Sequence, residues 1–409
     1  MIYLDHNGTS PASETHLQKL FSYLQINSGN PSSPHAVGRA ASVALTQARR
    51  IVAQALGVDV AQLIFVSGAT EANNLSTIGV LRYLGVASSH AITSGIEHPS
   101  VLEPLEYLQK KEGLHLNILN ANSQGFISAQ QIIENISEQT NYIALMAANN
   151  EVGSIQPVRL IGDFLHFKRW GVAPTENSDA VYELEKHLSP KVTKESLQKL
   201  HFHVDAVQAF GKLKSQQWIS SGVDSCAVSA HKLGALPGVG ALFLRRGRQF
   251  TPLILGGAQE KNRRAGTENL AGIMSFGIVC EELLQDSWWH KVTEMNTLRI
   301  YLYEAISCFP NVIMNTPLEN VIPNTVNFSV CGEKKQKNGE DLLLELDLNK
   351  ICASSGSACS SGANLPSKIL LNMGRSPLQA KNAIRLSLSV NTTRSEIEHV
   401  VACLKKLLS

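Results

Sequence analysis

Short apolar runs at 63–66, 91–93, 142–147, 201–204 and 226–228, separated by amphipathic stretches such as 38–56, constrain this chain more than any other feature in it. Strands buried on both faces read as unbroken apolar segments, and parallel neighbours need a crossover between them. The pattern therefore predicts an α/β layer with a largely parallel sheet. In such sheets ligand groups collect at the carboxyl ends of the strands. Beyond about residue 262 the rhythm changes. A long helical region at 269–309, short strands near 325–330 and 350–353, and a closing helix at 395–408 predict a smaller α+β unit. The expected division is a large unit of 15–261 and a small one built from 1–14 and 262–409. A polar, helix-prone stretch at 167–200, broken by Pro174 and Pro190, is expected to be a surface excursion.

Every polar motif of interest follows one of these runs. Val228-Ser229-Ala230-His231-Lys232-Leu233-Gly234 closes a strand with a lysine and opens a glycine-rich loop. A strand-end amine that is partly desolvated can lose its proton and condense with an aldehyde, so Lys232 is a candidate anchor for pyridoxal phosphate. A lone lysine after a strand is more often simply solvated, and its neighbours have to argue otherwise. Phe202-His203-Val204-Asp205 ends another strand with a carboxylate 27 positions earlier, about one helix plus one strand in a βαβ unit, which puts Asp205 and Lys232 on neighbouring strand ends. An acid there can hold a pyridine nitrogen protonated, or merely cap the next helix. Ser67-Gly68-Ala69-Thr70-Glu71-Ala72-Asn73-Asn74 follows the 63–66 run and opens a helix; it suits a phosphate, or serves as an ordinary capping box. Glu97-His98-Pro99 and Asn149-Asn150-Glu151 have the same placement.

The chain is 409 residues long with 44% hydrophobic residues, enough for a large core and two units. A net charge of +2, with no basic run interleaved with aromatics, argues against nucleic acid as a direct ligand and for a small substrate. The N-terminus lacks the basic flank and apolar stretch of a signal peptide, and no run reaches membrane-spanning length, so a cytoplasmic protein without membrane contact is expected. Seven scattered cysteines without a C-x-x-C pair speak against a disulfide framework and a zinc ribbon, and most are expected to be buried. Cys359 is the exception. It sits in Ser354-Ser355-Gly356-Ser357-Ala358-Cys359-Ser360-Ser361-Gly362, a string that cannot build a packed core, so its thiol is expected to be exposed or mobile.

As a set, these motifs resemble the cysteine desulfurases of the class V aminotransferase branch of pyridoxal-phosphate enzymes. The likeness runs from Tyr3-Leu4-Asp5-His6-Asn7-Gly8 through Gly29-Asn30-Pro31-Ser32-Ser33, the Thr70 loop, His98, Asn149-Asn150-Glu151, Asp205 to Gln208 and His231-Lys232 to Arg264-Ala265-Gly266-Thr267-Glu268-Asn269, the Cys359 loop and Arg385-Leu386-Ser387. Each piece is weak alone, whereas their order and spacing are specific. The resemblance implies the fold type I architecture of pyridoxal-phosphate transferases, with a mostly parallel seven-stranded sheet and a smaller α+β domain. It implies Lys232 as the covalent anchor, Asp205 on the pyridine nitrogen, His98 stacked on the ring, and Gln208 and Asn150 on its phenolic side. Ala69, Thr70, Ser229 and His231 would hold the phosphate, Thr267 would reach the phosphate of the other subunit of a homodimer, and Arg385 with Asn150 would bind substrate. Cys359 would take sulfur from L-cysteine as a persulfide, leaving L-alanine, and pass it to an iron–sulfur scaffold or a tRNA-thiolation enzyme. No resident metal is implied; Cys359 at most ligates an iron–sulfur cluster in passing.

Two other readings compete. A selenocysteine lyase, an aminotransferase or another β-eliminating enzyme would keep Lys232 and Asp205 and have no need of Cys359. A metal-binding or regulatory module would use His201-x-His203-x-Asp205, whose alternation puts three potential ligands on one strand face.

Overall fold

A computed structural model describes residues 1–173, 176–331, 338–355 and 365–408 of the chain. The strands are β1 (Ile2–Tyr3), β2 (Leu63–Val66), β3 (His90–Ser94), β4 (His115–Leu119), β5 (Thr140–Met146), β6 (His201–Asp205), β7 (Ser225–Ser229), β8 (Gly240–Leu244), β9 (Val312–Met314), β10 (Thr325–Val330), β11 (Ile351–Cys352) and β12 (Ala383–Ser387). Among the described residues, seven of them form the central sheet in the order β2-β8-β7-β6-β5-β3-β4. The pairs from β7 through β6, β5 and β3 to β4 are all parallel; β8 alone runs against its neighbours β7 and β2. The expected mostly parallel α/β layer is therefore present, and the ends of β2, β3, β5, β6 and β7 open on one edge.

The core shows why the apolar runs are unbroken. Every residue of β2, β3, β5, β6, β7 and β8 is buried, apart from Asn141 near the start of β5. Helices cover both faces. On one side Ala36–Leu56 packs closely on Leu270–Leu283, where a Cβ on Gly277 would lie 3.1 Å from that of Ala48. The 269–309 region is two helices rather than one, Leu270–Leu283 and Asp286–Ser307, parted at Leu284 and Gln285. The remaining strands make an antiparallel sheet, β12-β10-β9, and a parallel pair, β1-β11. The N-terminal segment continues along this region through a bridge from Asp5 to Ser387.

Three further sequence expectations change. The link from β6 to β7 contains a short 3-10 turn, Ser215–Gln217, in place of a crossover helix, because Phe210, Leu213 and Trp218 are buried and Gly211 takes a positive φ of 76°. Asp205 and β7 are neighbours all the same, with Asp205 paired to Ala227. The 167–200 stretch is helical as expected, at Ser178–Glu185 and Lys194–Lys199, but it is anchored as well as exposed. Val181, Leu184 and Leu197 are buried, and the buried Arg169 donates to the carbonyls of Leu197 (2.9 Å), Leu200 (2.8 Å) and Gly222 (3.0 Å) and pairs with Asp224 (3.0 Å). That cation and Arg248 hold the Asp224 carboxyl down at about 2 against the pull of burial. Among the described cysteines, Cys226, Cys280 and Cys403 are buried, Cys331 and Cys352 are half-buried and Cys308 is exposed, fewer buried thiols than expected. Among the described residues no helix is long and apolar enough to cross a membrane.

Arg169→Met leaves three carbonyls and one carboxylate short of a donor in a dry site, so it should cost about 3 kcal/mol or more in urea unfolding and open 176–199 to proteolysis. Unchanged stability would show that Arg169 does not anchor this segment.

Candidate functional site

The strand ends form the floor of a cleft of about 570 Å3. Ala69, Thr70, His98, Asn150, Asp205, Gln208, Ser229, His231, Lys232 and Arg385 all line it, along with Asp5, Asn7 and Gly8 from the N-terminal segment. Residues separated by more than 300 positions in sequence are thus brought together. Thr267 lies elsewhere: it lines a smaller adjoining cleft with Ser67, Gly238, Glu260 and Arg264. Cys359 falls outside the described residues.

Each side chain is placed by its element. Lys232 sits in a 3-10 turn, Ala230–Leu233, directly after β7, and its Nζ donates to the carbonyls of Asn7 (2.8 Å) and Gly8. Gln208 donates from Nε2 to that same Asn7 carbonyl (3.1 Å), and its Oε1 accepts from the buried Nζ of Lys212, four residues on. Lys212 also donates to Asn7 Oδ1 (2.8 Å). Burial, with Lys232 and Arg385 nearby, pushes the Lys212 amine well below its ordinary value. Because Lys212 occupies the amide oxygen, Gln208 is left with its NH2 as the group able to face a ligand. Asp205 accepts from Asn73 Nδ2 (2.8 Å) and from the backbone N–H of Val207 (3.0 Å). It therefore does cap the following turn, while one oxygen faces the Asn73 amide. His98 is the N-cap of Pro99–Glu112, and its Nδ1 accepts from the Ser100 backbone N–H (3.1 Å).

The loop after β2 brings Ser67, Gly68, Ala69 and Thr70 to the cleft. Gly68 caps the helix starting at Ala69 without any side-chain hydrogen bond, so the capping-box reading fails and the first N–H groups face the cleft. A Cβ on Gly68 would meet nothing within 4 Å, so that position faces open space, whereas one on Gly240 would strike Gly68 Cα at 2.8 Å, so a glycine there lets the two backbones pack together. Glu71 steadies this loop by accepting from the Ser67 N–H (2.8 Å) and pairing with Arg264 (2.8 Å). Burial and the nearby Lys232 push His231 down to about 4, so its imidazole is neutral; its Nδ1 lies 3.0 Å from the Thr9 hydroxyl.

Arg385, which out of context would read as a surface arginine, is buried on β12. It pairs with Asp5 (2.7 Å) and donates to the Asn150 carbonyl (3.0 Å) and the Ser354 hydroxyl (3.3 Å). Its Nε and the Oδ1 of Asn150 are both buried with no partner among the described residues. Two orphaned groups on one cleft wall, one donor and one acceptor, are what a polar ligand would satisfy.

The strand face proposed for a metal is otherwise engaged. His201 Nε2 and His203 Nδ1 both meet Ser225 Oγ (2.7 and 2.8 Å), and both rings stack on Tyr142. Among the described residues no three His, Cys, Asp or Glu side chains converge as a metal site. Sequence reasoning gave no role to Asn7, Asn73, Ser100 or Lys212. Asn7 and Asn73 stood inside motifs already singled out, and Lys212 follows Gln208 at helical spacing.

The aminotransferase class-V family model matches residues 2–173 and 176–400. A cysteine desulfurase IscS from Dictyoglomus turgidum is 34% identical over the whole chain and 94% of its own length. Cysteine desulfurase 2 of Trichormus variabilis is 36% identical over 98% of the chain and 91% of its own length. Among solved structures, a NifS-like protein superposes with a TM-score of 0.83 at 29% identity, covering 100% of this chain and 99% of its own. SspA in complex with cysteine superposes at 0.75 and 26% identity, covering 96% and 100%.

Glu97, just before His98, provides a pH test of this edge. Burial pushes its carboxyl up to about 8; Ser94 donates to Oε1, and Oε2 has no partner among the described residues. With the native value raised above the ordinary 4.5, the unfolded chain sheds a proton that the native one retains as pH climbs from 4.5 to 8. Its stabilising contribution is complete below 4.5 and is lost through 8, on the order of a few kcal/mol. Denaturant titrations of Glu97→Gln should lack that slope. A slope equal to the parent's would place the ionisation elsewhere.

Proposed function

The chain belongs to the class V aminotransferase family, and within it to the cysteine desulfurases, and from that premise we propose that its cleft takes L-cysteine and yields L-alanine and a persulfide on Cys359. The observation that carries the reading is the convergence of Lys232, Asp205, His98 and Arg385 on one cleft at the strand ends.

The cofactor of this reading is pyridoxal 5'-phosphate, and the residues present fit it. The uncapped helix start at Ala69, the hydroxyls of Thr70 and Ser229 and the neutral His231 suit its phosphate. Lys232 would anchor it, Asp205 would hold its ring nitrogen, His98 would lie on its face, and Gln208 with Asn150 would meet its phenolic oxygen. When bound, it supplies an electron sink for charge that develops at the α-carbon of an amino acid.

The chain's own groups do the rest. Arg385 binds the substrate carboxylate with a guanidinium that Asp5 and the Asn150 carbonyl keep in place. The Lys232 amine carries the α-proton on Nζ. The Cys359 thiolate attacks the sulfur of the substrate; an S–S bond forms, the C–S bond breaks with its electron pair left on carbon, and protonation of that carbon completes alanine. The persulfide then passes to an acceptor protein, an iron–sulfur scaffold or a tRNA-thiolation enzyme, in the cytoplasm.

The working unit in this reading is a homodimer. An apolar groove of about 510 Å3 lined by Tyr23, Val43, Ala44, Ile51, Met274 and Ile278 supports it, and Thr267, which sits beside the cleft rather than in it, would in this reading serve a partner's phosphate.

Mass spectrometry after exposure to L-cysteine should find one added sulfur on the peptide containing Cys359, and Cys359→Ala should keep the cofactor while alanine release falls by ~10³-fold. Alanine release undiminished by Cys359→Ala would assign a different reaction to the same fold. Arg385→Ala should raise KM for L-cysteine about ten- to a hundredfold, seen in steady-state kinetics.

A further inference from the structure

We propose that Asn73 and His203 form a positioning pair that holds the acid and the imidazole of the cleft in a single hydrogen-bond arrangement, Asn73 binding Asp205 directly and His98 through Ser100, and His203 binding Asn73 from behind. The proposal deepens the desulfurase reading, on which it rests for the ligand; the hydrogen-bond order comes from this chain alone.

Asn73 is fully buried, and its amide makes three contacts. Nδ2 donates to Asp205 Oδ2 (2.8 Å) and to Ser100 Oγ (2.8 Å), and Oδ1 meets His203 Nε2 (3.0 Å). A carboxylate only accepts, so the atom facing Asp205 must be the NH2, and both of its hydrogens are then committed. Oδ1 therefore needs a donor, and the proton of His203 must sit on Nε2. His203 Nδ1 is then an acceptor, filled by the Ser225 hydroxyl (2.8 Å), which in turn accepts from His201 Nε2 (2.7 Å) and Ser76 (2.9 Å). Burial takes both histidines down to about 3, so neither ring is charged and the sequence of donors cannot reverse by protonation.

On the other side, Ser100 Oγ accepts from Asn73 and so has its hydrogen to give to His98 Nδ1 (2.8 Å). That nitrogen also accepts the Ser100 backbone N–H (3.1 Å), which bars a proton from it and leaves the imidazole proton on Nε2. One buried amide thus orients the acid and, by directing the Ser100 hydroxyl hydrogen to Nδ1, adds a second donor to the tautomer that the Ser100 N–H fixes. The helix geometry serves the same end: the α-helical turn carrying Asn73 passes into a π turn at Leu75–Gly79, which aims Ser76 and Thr77 at Ser225 and Tyr142 beneath the cleft.

Without its donor, Oδ1 is a buried unsatisfied acceptor, and the amide is no longer held against turning. His203→Leu removes the donor, whereas His203→Gln returns an N–H at the place of Nε2. In 15N-histidine-labelled protein freed of cofactor, ring-nitrogen shifts should assign the Nε2–H tautomer to His98 and His203. The His98 tautomer should persist in all three variants, because the Ser100 N–H remains, while the His98 Nδ1 resonance should keep its position in His203→Gln and move in His203→Leu and Asn73→Ala as the Ser100 hydroxyl bond loosens. In the loaded enzyme, His203→Leu should weaken pyridoxal-phosphate retention and lower kcat about ten- to a hundredfold, the scale of one unsatisfied buried acceptor. KM for L-cysteine should stay within about threefold, and the glutamine variant should recover most of the loss. A His98 or His203 proton found on Nδ1, or leucine and glutamine variants that behave alike, would overturn the proposal. If the tautomers are as stated and L-cysteine is nevertheless not a substrate, the desulfurase reading falls and the positioning pair stands.

Discussion

Parallel pairing of β5, β6 and β7 is the constraint on which everything else at this site depends. Strands that run in the same direction end on the same edge, so Met146, Asp205 and Ala227 lie in one row, with Asn149, Asn150, His231 and Lys232 in the turns just beyond. One antiparallel strand, β8, completes the edge differently. It begins where the others finish, and Gly240 at its start lets the backbone of the Gly68 loop come close. A register slip of one residue in β6 would turn Asp205 to the opposite face.

Below that edge the sheet is unusually polar for a fully buried layer. Ser225, His201, His203, Tyr142 and Ser76 form a connected set, and each contact has a donor and an acceptor to offer. In a dry interior an unmatched member is costly, so such a set tolerates few arrangements and transmits its order to whatever adjoins it. Here it adjoins Asp205. The acid is thus fixed from inside the protein, as well as by its own strand.

The N-terminal segment closes the site from a different direction. Asn7 alone offers its carbonyl to Lys232 and Gln208, its side-chain oxygen to Lys212 and Asn324, and its NH2 to Thr325 and the Asn150 carbonyl. Asp5 holds Arg385 nearby. The first residues of the chain therefore join strand ends from the sheet to β10 and β12, and the amine and guanidinium that would act on a substrate are positioned by the same short stretch.

Much of this was legible in the residues themselves. Apolar runs long enough for one strand and bounded by polar turns mark β2, β3, β5, β6 and β7, and a lysine, an acid or a histidine at the end of such a run stands out because burial would otherwise exclude it. The sequence by itself determined which chemical groups stand at the strand ends. It did not reveal β4, whose half-exposed residues lack an apolar run, or the direction of β8, since local pattern is the same for either direction. Nor did it mark Asn73, Asn7 or Lys212, because an amide or an amine gains its meaning from the partner it meets. Those partners lie 132, 318 and 205 positions away for Asp205, Thr325 and Asn7 respectively. Only the tertiary structure decided which donor faces which acceptor, since hydrogen-bond direction in a buried site is set by the whole closed set of neighbours and no single segment contains that set.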